Sequence, residues 1–218
     1  MRIIKARPLG LNQSLALRTR FPCFHPEMGM NINGPQFLAG QFLVAMPALA
    51  DPNFFQTVTC ISEHNDQGAL GVIINRLHAL LSAKEIFTEL NLDIAVDAEN
   101  IPVHIGGPVH MDEVFILHGQ PFGWQGCLPI SDSLAISNTV DVLAAIARGE
   151  GPADYLIALG CAGWGPGQLE DELRDNAWLT GTASGDIIFK TEVAIRWESA
   201  LRRMGVDPAL LSDTAGHA

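Results

Sequence analysis

The chain has 218 residues, 48% of them hydrophobic and 17% charged, a composition that can bury a core and excludes intrinsic disorder. No apolar run approaches the roughly 18 residues of a membrane-spanning helix, and four cysteines without a CxxC pair exclude a disulfide framework or a cysteine-ladder metal site. Lys and Arg number 13 against 24 Asp and Glu; Arg2, Lys5, Arg7, Arg18 and Arg20 precede the first acid, Glu27, which leaves a strongly anionic body that repels phosphate backbones and anionic membrane surfaces.

Residues 1–35 are basic and broken by Pro8, Pro22, Pro26 and Pro35, and they read as a disordered extension ahead of a single domain over 36–218. A strand is expected over 41–46, ended by Pro47, and a turn at Asp51-Pro-Asn53. The β-branched run 57–63 and the run 69–75 read as strands of a hairpin joined at Asn65-Asp-Gln-Gly68. Ser82-Ala-Lys-Glu85 is a capping-box signature for a helix over 83–90. Short strands follow at 103–105, 114–118 and 134–136, the last two separated by a loop rich in Gly, Pro and Trp. A helix over 139–148 is stopped by Gly149, and 155–159 is the most apolar strand candidate. Gly160 to Gly167 reads as a tight turn into a helix over 168–176, followed by a strand at 186–189 and a helix over 193–204. The expected fold is α/β (mixed α+β), one compact domain on a mixed sheet.

The glycine-rich turn could aim backbone amides at an anion. It matches neither phosphate-loop pattern, however, and Glu170, Asp171 and Glu172 would meet an incoming phosphate with like charge. Cys161, placed at a strand end before a helix, is weighed as a nucleophile and read as a buried thiol. His104, His110 and His118 lack metal-ligand spacing, and neighbouring Ser62, Glu63 and His64 point to alternate faces of a strand. No catalytic residue, metal set or cofactor is therefore read from the sequence. Glu63, His64 and Asn65 at a strand end form a candidate binding rim, and Trp124 in its loop a candidate partner surface.

Taken together, Phe42-Leu-Val-Ala-Met-Pro-Ala-Leu49, Asp51-Pro-Asn-Phe54, Glu63-His-Asn65, Gly68-Ala-Leu-Gly-Val-Ile-Ile-Asn75, Gly106-Gly-Pro108, Phe115-Ile-Leu-His118, Asp141-Val-Leu143, Gly163-Trp-Gly-Pro-Gly-Gln-Leu-Glu170, Asn176-Ala-Trp-Leu179, Arg196-Trp197 and Ala215-Gly-His-Ala218 resemble the bacterial YqgE/AlgH family. The resemblance covers residues 36–218 and implies a mixed, partly barrel-like sheet surrounded by helices. Members of that family carry the label of transcriptional regulators, with no catalytic residue to transfer. Two cations frequent in the family are absent: Glu113 and Val114 replace an Arg-Gly pair, and Val140 replaces an Arg.

The favoured function is a cytoplasmic, non-catalytic binding or regulatory protein acting through a protein partner or a small ligand. Its candidate binding residues are Glu63, His64, Asn65, Asn75, His118, Gly163, Trp164 and Gly165. Two alternatives stand beside it. One is an enzyme whose cleft gathers His64, Asn75, His118 and Cys161; the other is a DNA-binding protein that uses the basic arm.

Overall fold

A computed structural model describes residues 38–211. The basic arm, Cys23 and the terminal Ala215-Gly-His-Ala218 lie outside that range. The described residues begin with an antiparallel meander of β1 (Gln41–Ala45), β2 (Val58–Asn65) and β3 (Gly68–Ile73), with Phe42 opposite Cys60 and Thr59 opposite Ile73. Alternation specifies this register, because Phe42, Val44 and Cys60 enter one core while Leu43, Ala45 and Ile61 enter another. β4 (Leu77–Ser82) leads directly into α1 (Ala83–Glu89). The Glu85 carboxylate accepts from the amide and hydroxyl of Ser82, the expected capping box.

β5 (Pro102–Ile105), β6 (Val109–His118), β7 (Leu128–Ser131) and β8 (Leu134–Ser137) precede α2 (Val140–Arg148), which ends at Gly149 in the left-handed conformation. β9 (Tyr155–Trp164), α3 (Gln168–Arg174), β10 (Trp178–Thr182) and α4 (Arg196–Arg203) complete the fold.

Ten strands form one open sheet in the order β10-β1-β2-β3-β9-β6-β8-β7, with β5 and β4 branching from β9. Among the described residues only β5 and β9 pair in parallel; every other pair is antiparallel. β9 organises the molecule. One edge carries β6, and the other carries β5 along its first half and β3 along its second.

The inward face of the sheet packs Val44, Phe115, Leu117 and Ala158 against Ala200 and Leu201 of α4. The opposite face is covered in two parts. α1 and α2 cover Val114, Ile116 and Ile157, and α3 covers Leu43, Ile61 and Ala162.

Four expectations are corrected. Gly160 to Trp164 is strand, not turn, so Cys161 lies inside the sheet rather than at a helix N-terminus. Gly160 makes this continuation possible. Its φ is +72°, and a Cβ there would sit 2.6 Å from the Gly107 carbonyl oxygen. Gly160→Ala is expected to cost on the order of 2–3 kcal/mol in chemical denaturation, through both the forced φ and the clash.

Residues 186–189 form a π-helical turn, Asp186–Lys190, instead of a strand. Adjacent Ile187 and Ile188 both enter the α4-side core, which a strand with alternating faces would prevent. The helix expected over 193–204 begins as a 3-10 turn, Val193–Ile195, before α4. Strands β4, β7 and β10 were not expected from the sequence at all.

Candidate functional site

Six of the eight candidate residues share one corner of the molecule. His64 pairs with Ala69 across β2 and β3, and Ala69 pairs with Trp164 on β9, which brings Glu63-His64-Asn65 beside Gly163-Trp164-Gly165. Gly68 closes this corner, since a Cβ there would lie 2.1 Å from the Trp164 carbonyl oxygen.

α3 lies over the corner and engages its polar groups. The amide of Leu38 donates to His64 Nδ1 at 3.1 Å, which places the ring proton on Nε2. Nε2 in turn donates to Glu170 Oε1 at 2.8 Å. Glu172 Oε2 accepts from the indole N–H of Trp164 at 2.9 Å and of Trp178 at 2.8 Å, while Oε1 accepts from Gln168. Phe54 stacks on Trp164 and meets Trp178 edge-on.

Each of the three acids at the start of α3 therefore has a protein partner, Asp171 pairing with Arg174. The Gly165 amide donates to Gln168 Oε1 rather than facing solvent as part of an anion cradle.

Glu63 is different. It follows a bulge in β2, and its Oε2 is buried without a hydrogen-bond partner among the described residues. Burial raises its pKa above the ordinary carboxyl value. The charged form is thus penalised in the fold at neutral pH, and the penalty disappears in acid, where folded and unfolded chains are both protonated. Glu63→Gln is expected to raise stability at pH 7, by an amount that shrinks as the pH falls toward 4.5, read from chemical denaturation at pH 7 and pH 4.5.

His118 and Asn75 lie elsewhere. His118 pairs with Tyr155, nine positions along β9 from Trp164, or roughly 30 Å. Its Nδ1 donates to the Gly119 carbonyl at 2.7 Å, and its Nε2 accepts from the Ser137 hydroxyl at 2.9 Å. Cys127 Sγ lies 3.8 Å from the same Nε2. This Ser–His–Cys group has the residue types of a nucleophilic site, but His118 and Ser137 are completely buried.

Burial depresses the His118 pKa against the hydrogen bond to Gly119. It also raises the Cys127 thiol; the Ser137 hydrogen bond opposes that rise and the Asp141 charge adds to it. Asn75 accepts from the Val58 amide and donates to the Gln56 carbonyl, which fixes the chain entering β2. Cys161 is fully buried, and burial with repulsion from Glu113 pushes its thiol up to about 12. His64, Asn75, His118 and Cys161 therefore do not line a common cleft.

Among the described residues, no group of three or more His, Cys, Asp or Glu side chains comes together as a metal site. His110 pairs with Glu113 at 3.3 Å, apart from His104 and His118. No described helix is long and apolar enough to cross a membrane. Trp124 packs on the α1–α2 core, with its indole N–H buried and unpartnered among the described residues.

Sequence reasoning did not identify the pairing of His104 with Arg196. Arg196 is 5% exposed, yet it forms no ion pair with a described carboxylate. Its Nε donates to the Thr191 carbonyl, and its Nη1 donates to the Ile74 carbonyl and to His104 Nε2. His104 Nδ1 donates to the Ile157 carbonyl at 3.3 Å. Burial, reinforced by the Arg196 charge, lowers the His104 pKa to about 4, and burial lowers that of Arg196 to about 10. A cleft of about 360 Å³ opens beside the pair. One signal was present in the sequence: Arg196 occupies the same helical face as the apolar Ala200, four residues on.

A family model described as AlgH-like matches residues 42–209, most of the chain. The protein belongs to the AlgH-like, or YqgE/AlgH, family. Its AlgH-like relatives include a UPF0301 protein from Desulforapulum autotrophicum, 53% identical over 83% of this chain and 96% of that one. Another, from Thioalkalivibrio sulfidiphilus, is 48% identical over 82% and 95%. The solution structure of the AlgH protein from Pseudomonas aeruginosa superimposes with a TM-score of 0.69 at 45% identity, covering 87% of this chain and all of that one. A crystal structure of protein DIP2367 from Corynebacterium diphtheriae has a TM-score of 0.64 at 20% identity, over 84% of this chain and 92% of that one, and shares the AlgH-like fold.

Proposed function

We propose that this AlgH-like protein is a cytoplasmic, non-catalytic binding protein that serves regulation, transcription included, through a protein partner or a small ligand. The observation that carries the reading is the commitment of its reactive side chains to the fold. His64, His104 and His118 each spend both ring nitrogens on protein hydrogen bonds. Burial pushes Cys60 and Cys161 up to about 12 and raises Cys127, so the thiolate that nucleophilic chemistry requires is scarce at neutral pH. The corner built from Glu63-His64-Asn65, Gly163-Trp164-Gly165 and α3 offers a rigid recognition surface. The anionic body favours protein or small-molecule partners over nucleic acid.

The test is a panel of hydrolase, transferase and oxidoreductase substrates applied to the purified full-length chain. No turnover above background is expected, and the His118→Gln and Cys127→Ser variants are expected to behave as wild type. Turnover abolished by either substitution would contradict the reading.

A further inference from the structure

The cleft beside Arg196 combines a buried cation, an unused donor and apolar walls. Fully buried guanidinium groups are ordinarily compensated by a carboxylate, because an unpaired charge removed from water is costly. Among the described residues, Arg196 has only neutral partners: two backbone carbonyls and a histidine ring whose depressed pKa keeps it uncharged. Those three bonds use Nε and both protons of Nη1. Nη2 keeps two donors with no partner among the described residues, and Arg196 lines the cleft. Ile101, Pro102, Ile188 and Phe189 provide apolar wall. Among the described residues, Asp154 is the one acid in the lining; it is exposed and makes no ion pair with Arg196.

We infer that this cleft is a binding site for a small organic monocarboxylate, its acid group received by Arg196 Nη2 and its hydrocarbon part lying against Ile188 and Phe189. A single cation compensates one negative charge. The surrounding body holds eight cations against 23 acids after Glu27 and disfavours a dianionic phosphate ester. A volume of about 360 Å³ lies at the lower end of ligand-cleft sizes, which suits a small molecule rather than a nucleotide. Charge-assisted hydrogen bonds to guanidinium are strong where water is excluded, so one such contact can anchor the acid group. The site would supply the small ligand of the regulatory reading. It also fails separately from that reading, since a protein partner could still act with the cleft empty.

The experiment is NMR titration of the full-length chain with benzoate, hexanoate and inorganic phosphate in otherwise anion-poor buffer. Saturable shifts are expected with a carboxylate, centred on the Arg196 Nε–H, the His104 ring and the amides of Ile188 and Phe189. Arg196→Met should weaken that binding roughly tenfold or more, the loss of one charge-assisted contact. Should Arg196→Met fail to fold, Ala153→Trp tests the same point, because Ala153 is exposed on the cleft lining and a bulky ring there obstructs entry. Ala153→Trp is expected to weaken carboxylate binding while leaving the melting temperature unchanged. Absence of saturable shifts at millimolar carboxylate, shifts scattered over the surface, a response to phosphate alone, or unaltered binding by a folded variant would each overturn the assignment.

Discussion

Glu172→Ala is expected to destabilise the protein by about 3 kcal/mol, measured as a shift in the chemical-denaturation midpoint followed by tryptophan emission. The substitution removes the acceptor shared by Trp164 and Trp178, both about 95% buried, and leaves two indole N–H groups unpaired beneath α3. It also releases Gln168, whose other contact orders the Gly165 turn. Glu172→Gln should cost only about 1 kcal/mol, because an amide oxygen can still accept from the indoles while its NH₂ group faces the donor of Gln168. Equal losses for the two variants would mean that the carboxylate acts through its charge rather than as a shared acceptor.

Acidification is expected to weaken the fold through His104. In the folded state its ring stays neutral down to about 4, whereas in the unfolded chain it takes up a proton near 6.5. Above 6.5 both states are neutral and the contribution is complete. As pH falls from 6.5 to 4 the unfolded state gains the proton and the folded state does not, so stability is lost over that window. The loss amounts to about 3 kcal/mol, and protonation of buried His118 changes stability in the same direction. Ion-paired carboxylates add their own acid sensitivity, so the comparison that isolates His104 is the difference between wild type and His104→Gln. Unfolding free energies at pH 7, 5.5 and 4.5 should converge between the two as pH falls. A constant gap would place the acid sensitivity elsewhere.

The parts of the fold legible in the sequence are those specified locally. β1 to β3 carry two interleaved apolar sets, α1 has its capping box, and α2 ends on a glycine that adopts φ +76°. What was not legible depends on distant partners. β4 exposes Leu77 and Leu80, so it shows no alternation, and it is a strand because β5 lies beside it. β7 contains Pro129, which argues against a central strand and is tolerated on this edge beside β8 alone. β10 holds Gly181 and is defined by β1.

The same division runs through the site. The Glu63-His64-Asn65 and Gly163-Trp164-Gly165 clusters stand out as local polar or glycine-rich interruptions of strands, and the sheet brings them together. The His118–Ser137–Cys127 group and the Arg196–His104 pair span 19 and 92 positions at their key contacts, and nothing local marks either one. Gly160 misled for a related reason: a glycine inside an apolar strand reads as its end, whereas here its positive φ lets the strand continue past Gly107.

¹⁵N-edited imidazole spectra read directly whether the histidine rings are fixed parts of the scaffold. At pH 7 the rings of His104 and His118 should be neutral with the proton on Nδ1, and His64 should carry a proton on Nε2 donated to Glu170. A His118 ring that is protonated at pH 7, or that exchanges rapidly between tautomers, would mean a mobile, titrating imidazole beside Cys127 and Ser137, and would contradict the assignment of those groups to structure.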